Sequence, residues 1–404
     1  MERGQPSDAN FDLCLPLLKA VDETNYITDN GVDVRNYPGG VLGLREAREM
    51  FCEQLGITAE QLIIGNNSSL DMMSRFLSWA LLRGVHGSKQ GWFGDKPQLI
   101  VAVPGYDRHF TLAEALGYEL VTVPMTEQGP DVARVAELAT SERVKGLFFV
   151  PTYSNPTGDC LSESLARQLV GVAAAAPDFT IFADDAYAVH HLEEPVPAPN
   201  LLTLAQEAGV PERVILFGST SKVTFASGGL GLAGMSETNI QFWSAALNTQ
   251  TIGPNKSEQW RHVCFLREYP GGLRGLMRDH AAILKPKFEA VERILCEALG
   301  NQDLASWTHP RGGYFVNLVT HRPVASRVIE LARDAGLALT PVGATFPGGK
   351  DPKNTTIRLA PTRPPLEEVE LAMELVACCV KLAAEEFDAK NSDEKQPATG
   401  AEVI

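Results

Sequence analysis

The sequence predicts an α/β protein with two domains: a large domain with a mostly parallel, seven-stranded sheet covered by helices, and a smaller α+β domain. Short apolar runs alternate with helical stretches over roughly the first 270 residues, which is typical of βα units. Most of these runs are apolar at successive positions, as expected for strands buried on both faces. The chain has 404 residues, more than one hydrophobic core usually supports.

The large domain is expected at residues 41–272. It opens with an amphipathic helix that places Leu44, Ala47, Met50 and Phe51 on one side. The seven predicted strands lie at 62–64, 99–103, 120–123, 146–150, 180–183, 214–217 and 230–233. Helices are predicted among them at 68–82, 109–116, 162–176 and 201–208.

The small domain is expected at residues 273–387, and the irregular N-terminal segment 1–40 joins it. Its predicted elements are a long helix at 276–299 interrupted near Pro286, strands at 308–318, 338–340 and 356–359, and helices at 325–335 and 366–384. The polar residues 388–404 are expected to form a disordered tail.

The composition argues against several classes of protein. A formal net charge of −15 disfavours nucleic acid and anionic membranes as partners. No apolar run approaches the length of a membrane span, and no basic-then-apolar signal region is found near the first residues. The seven cysteines are scattered and form no CxxC pair, so we expect reduced thiols in a cytoplasmic protein.

Polar side chains follow five of the predicted strands at the point where each strand ends. In open α/β sheets, ligands bind at the carboxyl ends of the strands. This clustering is a stronger signal than any single motif, and it predicts a site at that edge. In chain order, the residues are Asn67 and Ser68, Tyr106, Asn155, Asp184, and Ser219 with Lys222.

Lys222 lies in GSTSKVTFASGGLG, residues 218–231, directly after a predicted strand. Small and hydroxylated residues surround it, so its amine is expected near the interior. Burial there disfavours the charged form and prepares the amine to attack a carbonyl carbon as a Schiff-base lysine. An isolated lysine in such a loop could equally keep a solvated head group, so the interpretation depends on the other motifs.

The segment GNNSS, residues 65–69, joins a predicted strand to the start of a helix. Free backbone N–H groups and the helix dipole favour a phosphate at such a position. Alternatively, Asn67 or Ser68 is an ordinary helix cap.

Two strand-end motifs suggest groups that hold an aromatic cofactor. In PTYSNPTG, the amide of Asn155 could donate to a phenolic oxygen, or the asparagine could simply build a turn. In ADDAYAVHHL, Asp184 could hold a pyridinium nitrogen protonated, and Tyr187 could donate to the same phenolic oxygen.

The neighbours of Asp184 have other expected orientations. Strand alternation is expected to point Asp185 away from the site. His190 and His191 are adjacent and would face opposite ways on a strand, so we expect no metal site there.

Arg358 lies in TIRLAPTRPP on a predicted strand, between apolar neighbours. A guanidinium at a buried position needs an anionic partner. It could grip the α-carboxylate of a substrate with two hydrogen bonds, or it could form a structural salt bridge.

These motifs, in this order, resemble a class I aminotransferase of fold type I, a family that depends on pyridoxal 5′-phosphate (PLP). The resemblance runs from about Gly4 to Pro365. Within the family, NYPGGVLGLREA, GNNSS, VPGYDRHF, SNPTG, DDAYAVHHL, STSK, GPNK and GATFPGGKDP…IRLAP resemble a bacterial-type aspartate aminotransferase subgroup.

The resemblance implies a homodimer with active sites at the subunit interface. It implies that Lys222 is the Schiff-base lysine and that, once freed, it moves the proton between the substrate Cα and the cofactor C4′. It also implies a set of cofactor- and substrate-binding residues. These are Asp184 at the pyridine nitrogen, Asn155 and Tyr187 at the ring oxygen, Tyr106 on the ring face, Ser219, Ser221 and Asn67–Ser69 around the phosphate, Tyr37 from the neighbouring subunit, and Arg358, with Asn155, at the substrate.

The chain departs from the family pattern in two places. Most members have a phosphate-binding arginine eight residues after the lysine, where this chain has Leu230. We expect Lys256 in GPNK to replace it. The chain also begins near RGQPS, which leaves little room for a leading helix that could swap onto the partner. The candidates for a distal substrate carboxylate are Arg35, Arg108, Lys256 and Arg261.

The expected reaction is transamination between an L-amino acid, aspartate or glutamate, and a 2-oxo acid. A second interpretation keeps PLP but changes the reaction to β-decarboxylation, elimination or carbon–carbon bond formation, because the same lysine, aspartate and asparagine serve all of these. A third is a PLP-binding regulator without turnover, and the absence of a basic patch counts against it.

Overall fold

A computed structural model describes residues 1–37 and 40–394. Its large sheet has eight strands in the order β1-β8-β7-β6-β5-β2-β3-β4. The five strands from β7 to β3 in that order run parallel, whereas β8 is antiparallel to both β1 and β7. The bounds are β1 (Leu62–Ile64), β2 (Gln98–Val103), β3 (Glu119–Thr126), β4 (Gly129–Pro130), β5 (Val144–Phe149), β6 (Thr180–Asp184), β7 (Val214–Ser219) and β8 (Gly231–Met235).

The expected α/β class is confirmed, and all seven predicted strands are present. The predicted number of strands was one too low, because β4 adds an eighth. This strand has two residues and pairs antiparallel with the end of β3. It is too short to carry a pattern of apolar residues, so hydrophobic periodicity could not identify it.

Twelve α-helices surround the two sheets in the part of the chain that the structure describes. They are α1 (Asp8–Leu13), α2 (Arg45–Phe51), α3 (Ser69–Arg83), α4 (Asp107–Ala115), α5 (Val132–Leu138), α6 (Glu163–Val170), α7 (Leu201–Glu207), α8 (Glu237–Gln250), α9 (Lys256–Glu268), α10 (Gly272–Leu299), α11 (Ala325–Asp334) and α12 (Leu366–Glu394). None of them, within residues 1–37 and 40–394, has an apolar stretch that could cross a membrane.

Successive strand residues bury their side chains in cores on opposite faces of the large sheet. Leu99 and Val101 of β2 pack with residues of α3, α4 and α8. Ile100 and Ala102 pack with residues of α2, α6, α7 and α9. With both faces covered, the open ends of the strands are left as the place where polar side chains can gather.

The small domain has a three-stranded antiparallel sheet in the order β11-β10-β9, and its core also includes large-domain residues such as Tyr153 and Tyr187. Its strands are β9 (Ala305–Trp307), β10 (Val316–Thr320) and β11 (Thr356–Leu359). The strand predicted at 308–318 is therefore wrong for most of its length, since residues 308–315 form a connection between β9 and β10. The strand predicted at 338–340 is also absent, and Ala338 and Thr340 instead hydrogen-bond to Met1 and Glu2.

The predicted interruption near Pro286 is wrong, because α10 continues through the proline. An internal proline costs a helix about 3 kcal/mol. On either side of it, Leu284 and Phe288 are buried in the core shared with Val369 and Met373 of α12. We attribute the unbroken helix to this packing, which offsets the local cost.

The predicted start of the tail at residue 388 is wrong as well, since α12 extends to Glu394. Ion pairs hold this part of the helix: Asp388 contacts Arg322, and Glu386 contacts Arg327. These contacts are between residues far apart in sequence, so the polar composition alone did not reveal them. Residues 395–404 of the predicted tail lie outside the described residues.

A buried acidic residue ties the amino-terminal ends of the central strands together. Asp178 Oδ2 accepts hydrogen bonds from Ser88 Oγ at 2.7 Å and Trp92 Nε1 at 2.8 Å. Its other oxygen, Oδ1, lies 3.5 Å from Lys145 Nζ, and both side chains are less than 10% exposed. Burial alone would raise the pKa of Asp178, but these hydrogen bonds and the lysine charge outweigh burial and lower it.

We predict that Asp178→Asn lowers the free energy of unfolding by about 2–4 kcal/mol, because it breaks a buried and hydrogen-bonded ion pair. Urea denaturation at pH 7 measures this, with the exposed Asp12→Asn as control. Because the pKa of Asp178 is lowered, its contribution is present above about pH 4 and is lost as the pH falls through that pKa. Equal urea midpoints for the two variants would contradict the assignment.

Candidate active site

The site lies at the carboxyl edge of the large sheet, as the sequence predicts. Lys222 follows β7, and Asp184 is the last residue of β6. These strands are neighbours, with Asp184 paired to Phe217. Lys222 Nζ lies 4.9 Å from the centre of the Tyr187 ring. Two strand ends and the turn after one of them therefore bring the three side chains together.

A tight turn after β7 positions Lys222. The amides of Val223 and Thr224 both donate to the carbonyl of Thr220, and the Thr220 side chain accepts from the amide of Leu230. The carbonyl of Lys222 itself accepts from Tyr314 Oη at 3.3 Å and lies 3.4 Å from His190 Nε2. The main chain of the lysine is thus held from both sides while its amine reaches towards Tyr187.

Asp184 is 2% exposed and has one oxygen bonded. Its Oδ2 lies 2.9 Å from His109 Nε2, and its Oδ1 has no hydrogen-bond partner among the described residues. His109 stacks on Phe148 with ring centres 3.9 Å apart and meets Tyr106 edge-on at 4.9 Å. A buried acceptor with this geometry fits a protonated ring nitrogen.

His109 was not identified from the sequence. It lies three residues after Tyr106, one turn along the start of α4, so the two rings share a side of that helix. This spacing is a signal that could have suggested His109 as a companion of Tyr106.

Asp185 has different partners from Asp184. Its amide donates to the carbonyl of Phe217, and its carboxyl group receives a hydrogen bond from the Thr152 side chain. Burial, with a smaller contribution from the neighbouring Asp184 charge, raises the pKa of Asp185 to about 7. Asp184 and Asp185 therefore occupy different environments although they are adjacent in sequence.

Arg358 joins the site from β11 of the small domain and is 8% exposed. Its Nη1 lies 3.2 Å from Asn155 Oδ1 and 3.2 Å from Asp107 Oδ1. Asn155 also hydrogen-bonds to Tyr187. Arg358 was interpreted either as a group that binds a substrate α-carboxylate or as part of a structural salt bridge. The two interpretations are compatible, because Arg358 forms an ion pair with Asp107 and still lies among the site residues. Asp107 was not predicted.

The hydroxyl groups expected around a phosphate lie together. Ser219 Oγ is 2.7 Å from Ser221 Oγ, which donates to the main-chain carbonyl of Asn67 at 3.2 Å. A Cβ at Gly229 would lie 2.7 Å from that same carbonyl, so only glycine allows the two loops to approach this closely. Ser68 caps α3 by accepting from the amide of Asp71, and the capping alternative holds for this residue.

Lys256 and Tyr37 lie beside this loop. Lys256 begins α9, is 3% exposed and donates from Nζ to the carbonyl of Gly40. It lines an open cavity of about 390 Å³ together with Tyr37 and Asn255, whose amide donates to Asn66 Oδ1. Burial lowers the pKa of Lys256. Tyr37 is 80% exposed, and Ser69 is buried in the first turn of α3.

The four cations considered for a distal carboxylate differ in their surroundings. Arg35 pairs with Asp33 and stacks on Tyr26, and Arg261 pairs with Glu258. Arg108 is exposed, and Lys256 is buried beside the loop. Leu230 is buried in the core, so its side chain contributes nothing polar at the position of the usual arginine.

The residues present fit pyridoxal 5′-phosphate. The unpaired Asp184 Oδ1 suits its ring nitrogen, the Asn155–Tyr187 pair suits its phenolic oxygen, and the Ser219–Ser221 loop suits its phosphate. A primary amine, Lys222 Nζ, lies 4.9 Å from the centre of the Tyr187 ring.

Comparisons with known proteins identify the family of this chain. A family model described as aspartate amino-transferase matches residues 1–392. The aspartate aminotransferase of Corynebacterium glutamicum is 42% identical over 388 residues, covering 96% of this chain and 89% of that protein. A crystal structure of an aspartate transaminase from the same species has a TM-score of 0.92 at 42% identity and covers 96% of this chain and 91% of that one.

A more distant structure shares the fold. The α-aminoadipate aminotransferase LysN of Thermus thermophilus, solved with N-(5′-phosphopyridoxyl)-L-leucine, has a TM-score of 0.76 at 21% identity and covers 95% of this chain and 92% of that one. The chain therefore belongs to the aspartate amino-transferase family and is an aminotransferase with the fold type I architecture.

Proposed function

We propose that the enzyme uses pyridoxal 5′-phosphate to move an amino group from L-aspartate or L-glutamate to a 2-oxo acid. The observation that carries the proposal is the buried Asp184 Oδ1, which has no partner among the described residues and lies at the same sheet edge from which Lys222 follows. Aspartate is favoured because the C. glutamicum relatives named aspartate aminotransferase and aspartate transaminase are 42% identical to this chain.

When bound, the cofactor supplies an electron sink that weakens a bond at the substrate Cα. Lys222 Nζ is the amine that binds the cofactor and, after its release, the base that takes the proton from Cα. This amine lies 4.9 Å from the centre of the Tyr187 ring. The two side chains on its carbonyl hold the main chain still during that proton transfer.

Asp184 holds the ring nitrogen protonated, and His109 on its other oxygen keeps the carboxylate in place. Asn155 and Tyr187 donate to the phenolic oxygen, and Tyr106 covers one face of the ring. Burial raises the pKa of Tyr106 to about 12, so its hydroxyl stays protonated at neutral pH. Ser219, Ser221 and Asn67–Ser69 bind the phosphate.

Arg358, with Asn155, binds the α-carboxylate of the substrate. Asp107 already pairs with Arg358 Nη1, so an incoming carboxylate competes with it for the guanidinium. The competition weakens binding of the α-carboxylate and leaves Arg358 with a charged partner when no substrate is present.

We propose a homodimer in which Tyr37 reaches the phosphate of the partner's site. Its support is the exposed apolar surface at the mouth of the cavity beside Lys256, where Tyr37 and Ile252 are 80% and 67% exposed. We also propose a cytoplasmic location, which rests on the reduced state that the sequence predicts for the seven cysteines.

The absorbance spectrum tests the proposed function. We expect PLP-loaded protein to absorb at roughly 360–430 nm through its lysine-bound cofactor. L-Aspartate should convert this band to one at shorter wavelength and release oxaloacetate, whereas Lys222→Ala should show no comparable conversion with product release.

Each alternative has a distinct result in this experiment. A PLP-loaded protein without the band contradicts the role of Lys222. A band that responds only to another amino acid rejects aspartate and glutamate as substrates. A response without release of any oxo acid rejects transamination and favours a different PLP reaction.

Lys256→Ala tests the cation that replaces the usual arginine at Leu230. We expect the dissociation constant for PLP to rise at least about 10-fold, because a partly desolvated cation beside a phosphate contributes roughly 1.4 kcal/mol or more. Equilibrium dialysis of the apoenzyme measures it, with the exposed Lys353→Ala as control for one lost charge. Equal affinity in both variants would reject Lys256 as the phosphate cation.

A further inference from the structure

A buried histidine of α9, His262, contacts the turn that carries Lys222, and the reaction described above gives it no role. Its Nε2 lies 2.8 Å from Thr224 Oγ1 and 3.3 Å from Thr220 Oγ1. The histidine and both threonines are each 0% exposed. One imidazole nitrogen therefore meets two hydroxyl groups of the same turn, out of contact with water.

The two threonines lie on either side of Lys222 in the sequence. The amide of Thr224 donates to the carbonyl of Thr220, four residues earlier, so the two side chains lie on the same side of one helical turn. Lys222 is two residues from each and does not share that side. Its amine extends instead towards the Tyr187 ring. His262 therefore holds the turn from its buried side.

The surroundings of His262 determine which ring nitrogen carries the hydrogen. Nδ1 lies 2.9 Å from the main-chain carbonyl oxygen of Glu258 and 3.5 Å from Oε1 of the same residue. A carbonyl oxygen can only accept, so Nδ1 carries the hydrogen. Burial lowers the pKa of His262 to about 4, so the ring is neutral at pH 7 and Nε2 has a free lone pair. Nε2 therefore accepts from the threonine hydroxyl groups.

The two hydroxyl groups connect the imidazole to different parts of the loop. Thr224 Oγ1 is the closer donor to Nε2, and it also lies 3.2 Å from the carbonyl oxygen of Thr220. Thr220 Oγ1 accepts from the amide of Leu230 at 2.8 Å. Since Leu230 directly precedes β8, Thr220 links the far end of the loop to the same imidazole.

Helix α9 gives His262 a fixed position. Gln259, one turn before it, is 0% exposed and spans two main-chain groups of the large domain. It accepts from the amide of Leu44 at 2.7 Å and donates to the carbonyl of Ile64 at 3.3 Å. The ring of Phe51 meets the His262 ring edge-on at 6.3 Å. These contacts attach the helix to β1 and α2 close to the imidazole.

We propose that His262 is a positioning residue for Lys222: as a neutral Nδ1–H tautomer, it accepts from Thr224 and Thr220 and holds the turn from which the amine extends. It acts through the turn and does not touch the reacting atoms. The proposal rests on the proposed role of Lys222, but the tautomer of His262 and its contact with Thr224 do not.

The tautomer can be measured without cofactor or turnover. Two-bond ¹H–¹⁵N spectra of ¹⁵N-histidine-labelled apoenzyme should show His262 as a neutral Nδ1–H tautomer from about pH 5.5 to 8.5, with the assignment from His262→Gln. An Nε2–H tautomer, or a ring that titrates in this range, overturns the proposal even if the enzyme is a transaminase.

The same spectra test the contact with Thr224. Thr224→Val keeps the branched shape but removes the hydroxyl, so the Nε2 resonance of His262 should move. Thr180→Val is the matched control, because Thr180 is also buried and its hydroxyl donates to the carbonyl of Asp178 near the opposite end of β6. A resonance that Thr224→Val leaves in place overturns the proposal.

Substitution tests the positioning effect. His262→Phe keeps a buried ring but removes the acceptor, so kcat should fall about 10-fold while KM for the amino acid stays within about 2-fold. His262→Gln offers an amide oxygen as acceptor and should recover most of the loss. A folded His262→Phe variant with unchanged kcat overturns the proposal, as does an equal fall in kcat in Thr180→Val.

A double-mutant cycle shows whether the effect passes through the threonine. Thr224→Val should lower kcat about 5-fold alone and add little to His262→Phe, because both changes break the same hydrogen bond. Losses that multiply in the double variant overturn the proposal. If a variant does not fold, the tautomer of His262 in the unaltered apoenzyme still decides.

Discussion

The buried carboxylate of Asp184 is the constraint on which the site depends. A buried carboxylate is costly unless its oxygens have partners, and His109 supplies only one. The residues around Asp184 and His109 hold the imidazole where it can supply this partner. The His109 ring stacks on Phe148 and meets Tyr106 edge-on. Helix α4 begins at a position from which this ring reaches the end of β6. The carboxyl group of Asp184 is thus kept away from water, and its Oδ1 has no partner among the described residues, as the proposed contact with a cofactor ring nitrogen requires.

The parallel sheet supplies the precision that this arrangement requires. Paired strands end at the same edge, so Asp184 and the turn after Ser219 come together without any long loop. Arg358 comes to this edge from elsewhere. It lies on β11 of the second sheet and contacts Asn155 at the edge of the large sheet. Arg358 and Asp184, which we propose bind the substrate and the cofactor, therefore come from two different sheets, and the contacts between the sheets must hold them in register.

The sequence predicted much of this because the relevant signals are local. Apolar runs located seven of the eight strands of the large sheet, and the residues just after them included Lys222, Asp184 and Asn155. The partners that orient these groups could not be predicted in the same way. His109 and Asp107 come from the start of α4, which follows the end of another strand, β2. Their roles arise from contacts between distant segments, and only His109 has a local signal, its spacing of three residues from Tyr106. The sequence also failed to predict that α10 continues through Pro286. Buried packing between distant segments outweighs the local cost of a proline inside a helix.

The melting temperature of Asp184→Asn, with and without PLP, tests the central claim most directly. If the unpaired oxygen destabilises the apoprotein and binds the cofactor, the variant apoprotein should melt about 2–4 °C higher than the unaltered apoprotein. The reason is that asparagine removes a buried charge. The variant should then gain much less from PLP than the unaltered protein does. A variant apoprotein that melts lower, together with an unchanged gain from PLP, would show that Asp184 serves the fold and not the cofactor.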